Sequence, residues 1–182
     1  MDPTRYSLTQ RMLHWLIAVL VLLLLAVGLT FWSLDYDGTV ALFGNDNTNL
    51  LYQYHKTFGI LVFTLMLVRV ALRRASPPPT YTPPLTATER VASRTTHLLI
   101  YVLLLGMPIG GWLATASGGY PVQFFDWELP GLIGKSEALS ERLFQFHGIG
   151  GLILTALLVL HMGAGLRHWM RKDGIVRRMS LP

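Results

Sequence analysis

The stretch 143–166, LFQFHGIGGLILTALLVLHMGAGL, contains no charged residue and holds two histidines, His147 and His161, fourteen residues apart. At about 100° and 1.5 Å per residue, fourteen helical steps bring the second imidazole back to within roughly 40° of the first, about 21 Å along the axis. A segment of this kind can cross a hydrocarbon core about 30 Å thick, for which about 20 helical residues suffice. Imidazole is costly to bury in lipid unless something binds it, so an intramembrane histidine is a functional-site candidate. Two on one face, at different depths, point to two stacked cofactors between helices.

Three further apolar segments lie upstream. Together the four predict helices at about 9–34, 50–74, 90–116 and 141–170, in an all-α, integral membrane, four-helix up-down-up-down bundle forming one domain. Only 14% of the 182 residues are charged, against about 25% in a typical soluble domain. The first segment is read as a retained helix. Its apolar core exceeds the usual signal-peptide length and no small-residue cleavage site follows. The chain has no cysteine, which excludes disulfides, thiolate ligands, iron–sulfur clusters and a covalent haem motif.

The net charge of +5 is distributed as a membrane protein's, not as a nucleic-acid binder's. Arg5 and Arg11 precede the first helix; Arg69, Arg73, Arg74, Arg90 and Arg94 flank the second connection. Arg167, Arg171, Lys172, Arg177 and Arg178 end the chain's last helix. A four-span topology puts all of these on one side, leaving Lys56, Lys135 and Arg142 on the other. The positive-inside rule then places both termini in the cytoplasm.

Between helices, Ser76-Pro77-Pro78-Pro79 and Pro83-Pro84 predict a stiff, non-helical connection. Residues 33–49 read as a polar, acidic outer loop. Residues 117–140 read as an ordered interfacial loop with aromatic anchors Tyr120, Phe124, Phe125 and Trp127. Ser140 is the expected N-cap of the last helix, and Pro108 the expected bend in the third.

Depth sorts the histidines. His55 and His147 both fall near the outer ends of inward-running helices and can share one haem iron, held by neutral imidazoles between facing helices. His161 lies near the inner side, where His14 and His97 stand at nearly the same depth, and spacing does not choose between them. His168 lies close to the cytoplasmic surface as an interfacial group, a haem-propionate contact or part of a quinone site. Gly59, Gly148, Gly150, Gly151, Gly163 and Gly165 fit a macrocycle packed against a helix, and equally fit close helix packing. Arg69, Arg73, Arg74 and Arg94 are candidate propionate partners.

From Arg11 to Arg178 the chain resembles the bacterial cytochrome b561 family, small four-helix di-haem proteins of the inner membrane. The resemblance rests on His14-Trp15, His55 with Gly59 and Arg69, His97-Leu98-Leu99-Ile100-Tyr101 with Pro108-Ile109-Gly110, and His147, His161 and His168 followed by Lys172-Asp173. It implies two non-covalent b-type haems ligated by His14, His55, His147 and His161, so favouring His14 over His97. It also implies quinone chemistry near the inner haem, with His97, His168, Arg69 and Arg73 as candidate quinone or propionate contacts. Some members take electrons from superoxide on the periplasmic side and reduce ubiquinone. An anionic donor calls for a basic outer mouth, for which Lys56, Lys135 and Arg142 are the available residues; the first outer loop offers only Asp35, Asp37 and Asp46. The alternatives are a cytochrome b subunit anchoring a periplasmic dehydrogenase partner, such as a hydrogenase, and a haem-free transporter or metal carrier.

Overall fold

The computed structural model describes residues 4–81 and 84–181. Four long helices dominate: α1 (Leu8–Phe43), α2 (Asn45–Ala75), α3 (Ala87–Ser117) and α4 (Glu137–Arg171). α1 packs on α2, α2 on α3, α3 on α4 and α4 back on α1, while across the diagonals the backbones stay apart among the described residues and side chains meet instead, as His55 of α2 does with His147 of α4. Neighbours run antiparallel, so the start of α1 meets the end of α4 and the start of α2 meets the end of α1. Three of the helices, α1, α3 and α4, are long and apolar enough to cross a membrane; α2 is the fourth wall. Outward faces are apolar, with Leu98, Val102, Val159 and Leu160 all more than half exposed, as expected of helices whose solvent is lipid.

The helix starts follow local chemistry. Ser7 caps α1 through the Gln10 amide while the Gln10 side chain returns to the Ser7 amide. Thr86 and Glu89 make the same reciprocal box at α3, satisfying amides that a helix start leaves unpaired. Residues 76–81 and 84–86 are non-helical, as the prolines require; Pro83 lies outside the described residues.

Three expectations are corrected. The expected outer loop at 33–49 is almost entirely helical: α1 continues past a break at Asp35 (φ 53°), and only Gly44 separates it from α2. Asp35 restarts the helix by accepting from the Gly38 amide at 2.9 Å, and Tyr36 reaches Asn45 and Asn49 across the turn. The 117–140 loop contains a two-stranded antiparallel hairpin, β1 (Val122–Phe124) and β2 (Trp127–Leu129). Phe125 at its turn holds φ 53°, rare for a bulky residue, and is pinned by its amide to Thr57 Oγ1 and its carbonyl to Gln53. Finally, α4 begins at Glu137, not at Ser140, whose hydroxyl donates to the Ala114 carbonyl of α3 at 2.9 Å.

The tail folds back on the opposite end of the bundle. A 3₁₀ turn, Val176–Arg178, leads into a segment whose carbonyls accept from Arg5, Arg11 and Trp15. Arg178 is buried, donates to the Pro79 carbonyl and lies over the rings of Tyr6 and Tyr81. It ties the tail to the proline-rich connection.

Candidate functional site

Each helix places two positions fourteen residues apart on one face, and the bundle gathers them into two layers. The upper layer is Gly28 of α1, His55 of α2, Gly111 of α3 and His147 of α4; the lower is His14, Arg69, His97 and His161 in the same order. Between them sits an apolar plug of Ile17, Val21, Val62, Met66, Ile100, Leu104 and Leu154, drawn from all four helices.

In the upper layer, the rings of His55 and His147 lie 6.2 Å apart, centroid to centroid, at 75°. Glycine makes both positions accessible. A Cβ at Gly28 would come within 3.2 Å of the His55 ring, and one at Gly111 within 3.0 Å of the His147 ring. His147 Nδ1 pairs with the Met107 carbonyl at 3.1 Å, which leaves Nε2 for a ligand. His55 Nδ1 is buried without a hydrogen-bond partner among the described residues. A cavity of about 1140 Å³ adjoins this layer, with Gly59, Gly151, Tyr52 and Trp112 in its wall. The β-hairpin roofs it through Val122 and Gln123. Tyr52 stacks flat on Phe31 at 3.8 Å, and Phe31 meets His55 edge-on at 5.8 Å.

The lower layer repeats the pairing. His14 and His161 lie 6.3 Å apart at 79°. His97 lies closer to His161, at 5.1 Å, with its Nδ1 turned back to the Ser93 carbonyl of its own helix at 2.6 Å. A metal–imidazole nitrogen bond is about 2.0–2.1 Å, and the ring centre lies roughly 1.2 Å behind the nitrogen, so two imidazoles sharing one ion in line stand roughly 6.4 Å apart. Both 6.2 and 6.3 Å match that separation, and 5.1 Å does not. Iron already held by a porphyrin needs only two protein ligands. Among the described residues no group of three or more His, Cys, Asp or Glu side chains gathers to hold a bare metal ion.

The remaining candidates separate. Arg69 donates Nε to the Tyr101 hydroxyl at 3.0 Å and Nη1 to the Gln10 carbonyl at 3.1 Å, bridging three helices at the lower layer. Arg73 lies over the Tyr101 ring at 5.6 Å; Arg74 and Arg94 are exposed. His168 Nδ1 pairs with Asp173 at 2.7 Å, so it closes the end of α4 and also borders a small cleft with Trp169 and Lys172. Burial works against ionisation of Asp173, but its hydrogen bonds with His168 and the Ile175 amide and the nearby Arg171 charge together outweigh this and hold the carboxyl below its ordinary range. Lys56 lines the cavity and donates to Pro121 and Gln123 of the roof. Lys135 lays its stem against Gly119, and Arg142 is exposed; neither borders the cavity.

The glycines differ in their surroundings. At Gly148 and Gly150 a Cβ would strike Trp32 and the Met107 sulfur, whereas Gly59 and Gly151 meet nothing within 4 Å; Gly59, Gly148 and Gly151 all line the cavity. Gly28 and Gly111, which lie against the His55 and His147 rings, are positions of this layer missed in the sequence. The signal was present: each stands fourteen residues past a histidine of its own helix.

A model of prokaryotic cytochrome b561 matches residues 5–180. The chain is 31% identical to cytochrome b561 homolog 2 of Escherichia coli (strain K12), over 97% of this chain and 92% of that protein. It is 26% identical to homolog 1 of the same organism, over 96% of each. It is 24% identical to the probable superoxide oxidase CybB of Yersinia pestis, over 96% of this chain and 95% of that one. Two matched imidazole pairs in a lipid-facing helical bundle, and a family match along nearly the whole chain, lead to one conclusion: the protein belongs to the prokaryotic cytochrome b561 family, multi-pass b-type haem proteins of the bacterial inner membrane that carry electrons across it.

Proposed function

We propose that the chain holds two b-type haems, one between His55 and His147 and one between His14 and His161, and moves electrons from a periplasmic donor to a membrane quinone. The observation that carries this reading is the equal ring separation of the two pairs, 6.2 and 6.3 Å. Four spans with both termini cytoplasmic put the upper layer toward the periplasm, because the arginine-rich helix ends then face inward. Bound haem supplies a one-electron iron couple at each level.

The chain's own residues set the conditions. The Met107 carbonyl accepts from His147 Nδ1, which fixes the ring's tautomer and tilt and keeps Nε2 available. Gly28 and Gly111 leave room behind the upper rings. The plug around Val62 and Met66, both almost fully buried, keeps water from the space between layers. At the lower layer His97 and His168 are the polar groups offered to a quinone such as ubiquinone.

The Yersinia relative's name, probable superoxide oxidase, motivates superoxide as the donor. Two superoxide ions each lose one electron and leave as dioxygen; the two electrons and two protons convert the quinone to its quinol. Lys56 is the basic residue in the cavity wall among the described residues, apart from histidine, and is the group placed to attract an anion there. Haem quantification of the purified protein by its pyridine adduct should give two per chain, falling to one in His147→Ala; two in that variant would refute the assignment. Superoxide should then reduce the haem band and added ubiquinone reoxidise it. Failure of superoxide alone, with two haems bound, would redirect the donor to a protein partner.

A further inference from the structure

On α2 the register position that holds His55 in the upper layer holds Arg69 in the lower one. An arginine inside a membrane bundle is expected to be paired, and its presence marks function by default. Among the described residues Arg69 has hydroxyl and carbonyl acceptors but no carboxylate. The ion pairs of this end engage other residues: Glu89 with Arg167 and Arg171, and Asp173 with His168. The upper layer has a different balance, with one charge of each sign in its cavity wall, Asp35 and Lys56.

From this asymmetry we infer that Arg69 is a potential-setting residue, which makes the His14/His161 centre the more easily reduced of the two and so drives electrons from the upper layer to the lower. The inference rests on the two-haem reading above. Ferric iron carries one more positive charge than ferrous iron, and a fixed, uncompensated guanidinium repels it more. The low-dielectric setting keeps that repulsion from being screened. The same sign results if Arg69 acts by neutralising a haem carboxylate, because removing negative charge near the iron also favours its reduced form. The Tyr101 hydroxyl and the Gln10 carbonyl hold the guanidinium in place, so the bias is built into the fold. One electron is lost at the upper iron and the same electron is gained at the lower; the donor and quinone named above supply and remove it.

A spectroscopic redox titration of the purified two-haem protein tests this without turnover. The lower couple, identified as the one retained in His147→Ala, should have the higher midpoint in the wild type. Arg69→Gln should shift its reduction equilibrium at least tenfold toward the oxidised form, about 59 mV for a one-electron couple, while the upper couple stays put. Arg69→Lys, which keeps the charge, should recover most of the shift. Two haems with the reverse order in the wild type overturn the inference even if Arg69→Gln does not assemble, and so does an Arg69→Gln protein with unmoved midpoints. A single haem in the wild type would instead remove the reading on which it stands.

Discussion

The two layers of the bundle use the same register and the same ligand separation, yet they differ in what the other two helices contribute. Above, α1 and α3 offer Gly28 and Gly111, whose missing side chains give His55 and His147 room beside a cavity of about 1140 Å³. Below, α2 and α3 offer Arg69 and His97, and the same space is filled with polar and charged groups. On the two-haem proposal, a pair of imidazoles allows a metal centre at each level, and the flanking pair sets its surroundings: space and access in one, charge in the other.

The sharpest way to break the comparison is to exchange the two lower histidines for alanine in turn. If ring separation identifies the ligand, His14→Ala should lose the lower haem, leaving about one per chain. His97→Ala should keep both, because His97 stands 5.1 Å from His161 and its Nδ1 is engaged with Ser93. Haem content and the low-temperature optical spectrum would check this; loss of haem in His97→Ala with full content in His14→Ala would reverse the assignment.

A smaller effect is expected from filling the upper layer. Gly111→Val puts branched carbons where a Cβ alone would be 3.0 Å from the His147 ring. The ring must move, and the Met107 bond must lengthen with it. Overpacking of this kind typically costs about 1–3 kcal/mol. The expected result is weakened haem retention at the upper level and an unchanged lower spectrum. A stable protein with full haem would show that α3 can shift away from α4, and that glycine here is not required for ligand access.

How much of this was legible in the sequence depends on the range of the interactions. Helix α4 and its two histidines follow from local periodicity, since an uncharged stretch with imidazoles at 147 and 161 has few other readings. The split between His14 and His97 does not follow from depth, because it turns on ring separations across the bundle. The hairpin at 122–129 was invisible for a similar reason: Gln53, Lys56 and Thr57 of a distant helix hold it. The helical course of 36–49 was hidden by its polar composition, which reads as loop although Asp35 caps it and Tyr36 ties it to Asn45 and Asn49. Ser140 looked like a cap because caps are serines next to acids; a carbonyl on α3 claimed its hydroxyl.

The faintest expected effect lies at the end where charge dominates. Asp173 accepts from His168 at 2.7 Å and from the Ile175 amide at 3.2 Å, holding the chain's turn after α4. Burial raises its carboxyl, but the His168 and Ile175 hydrogen bonds and the Arg171 charge together depress it on balance, so its contribution is present above the unfolded pKa and is lost as pH falls through the lower, folded one. A partly exposed pair of this kind contributes at most about 1 kcal/mol. Asp173→Asn should therefore lower the thermal midpoint slightly at pH 7, and by less as acid protonates the wild-type carboxyl and removes the difference. Both haem centres should keep their midpoints in this variant, because Asp173 lies beyond the end of α4, twelve residues past His161. A shift of the lower midpoint comparable to that of Arg69→Gln would mean that the field at this level is set by the whole cytoplasmic end and not by the one guanidinium in the layer.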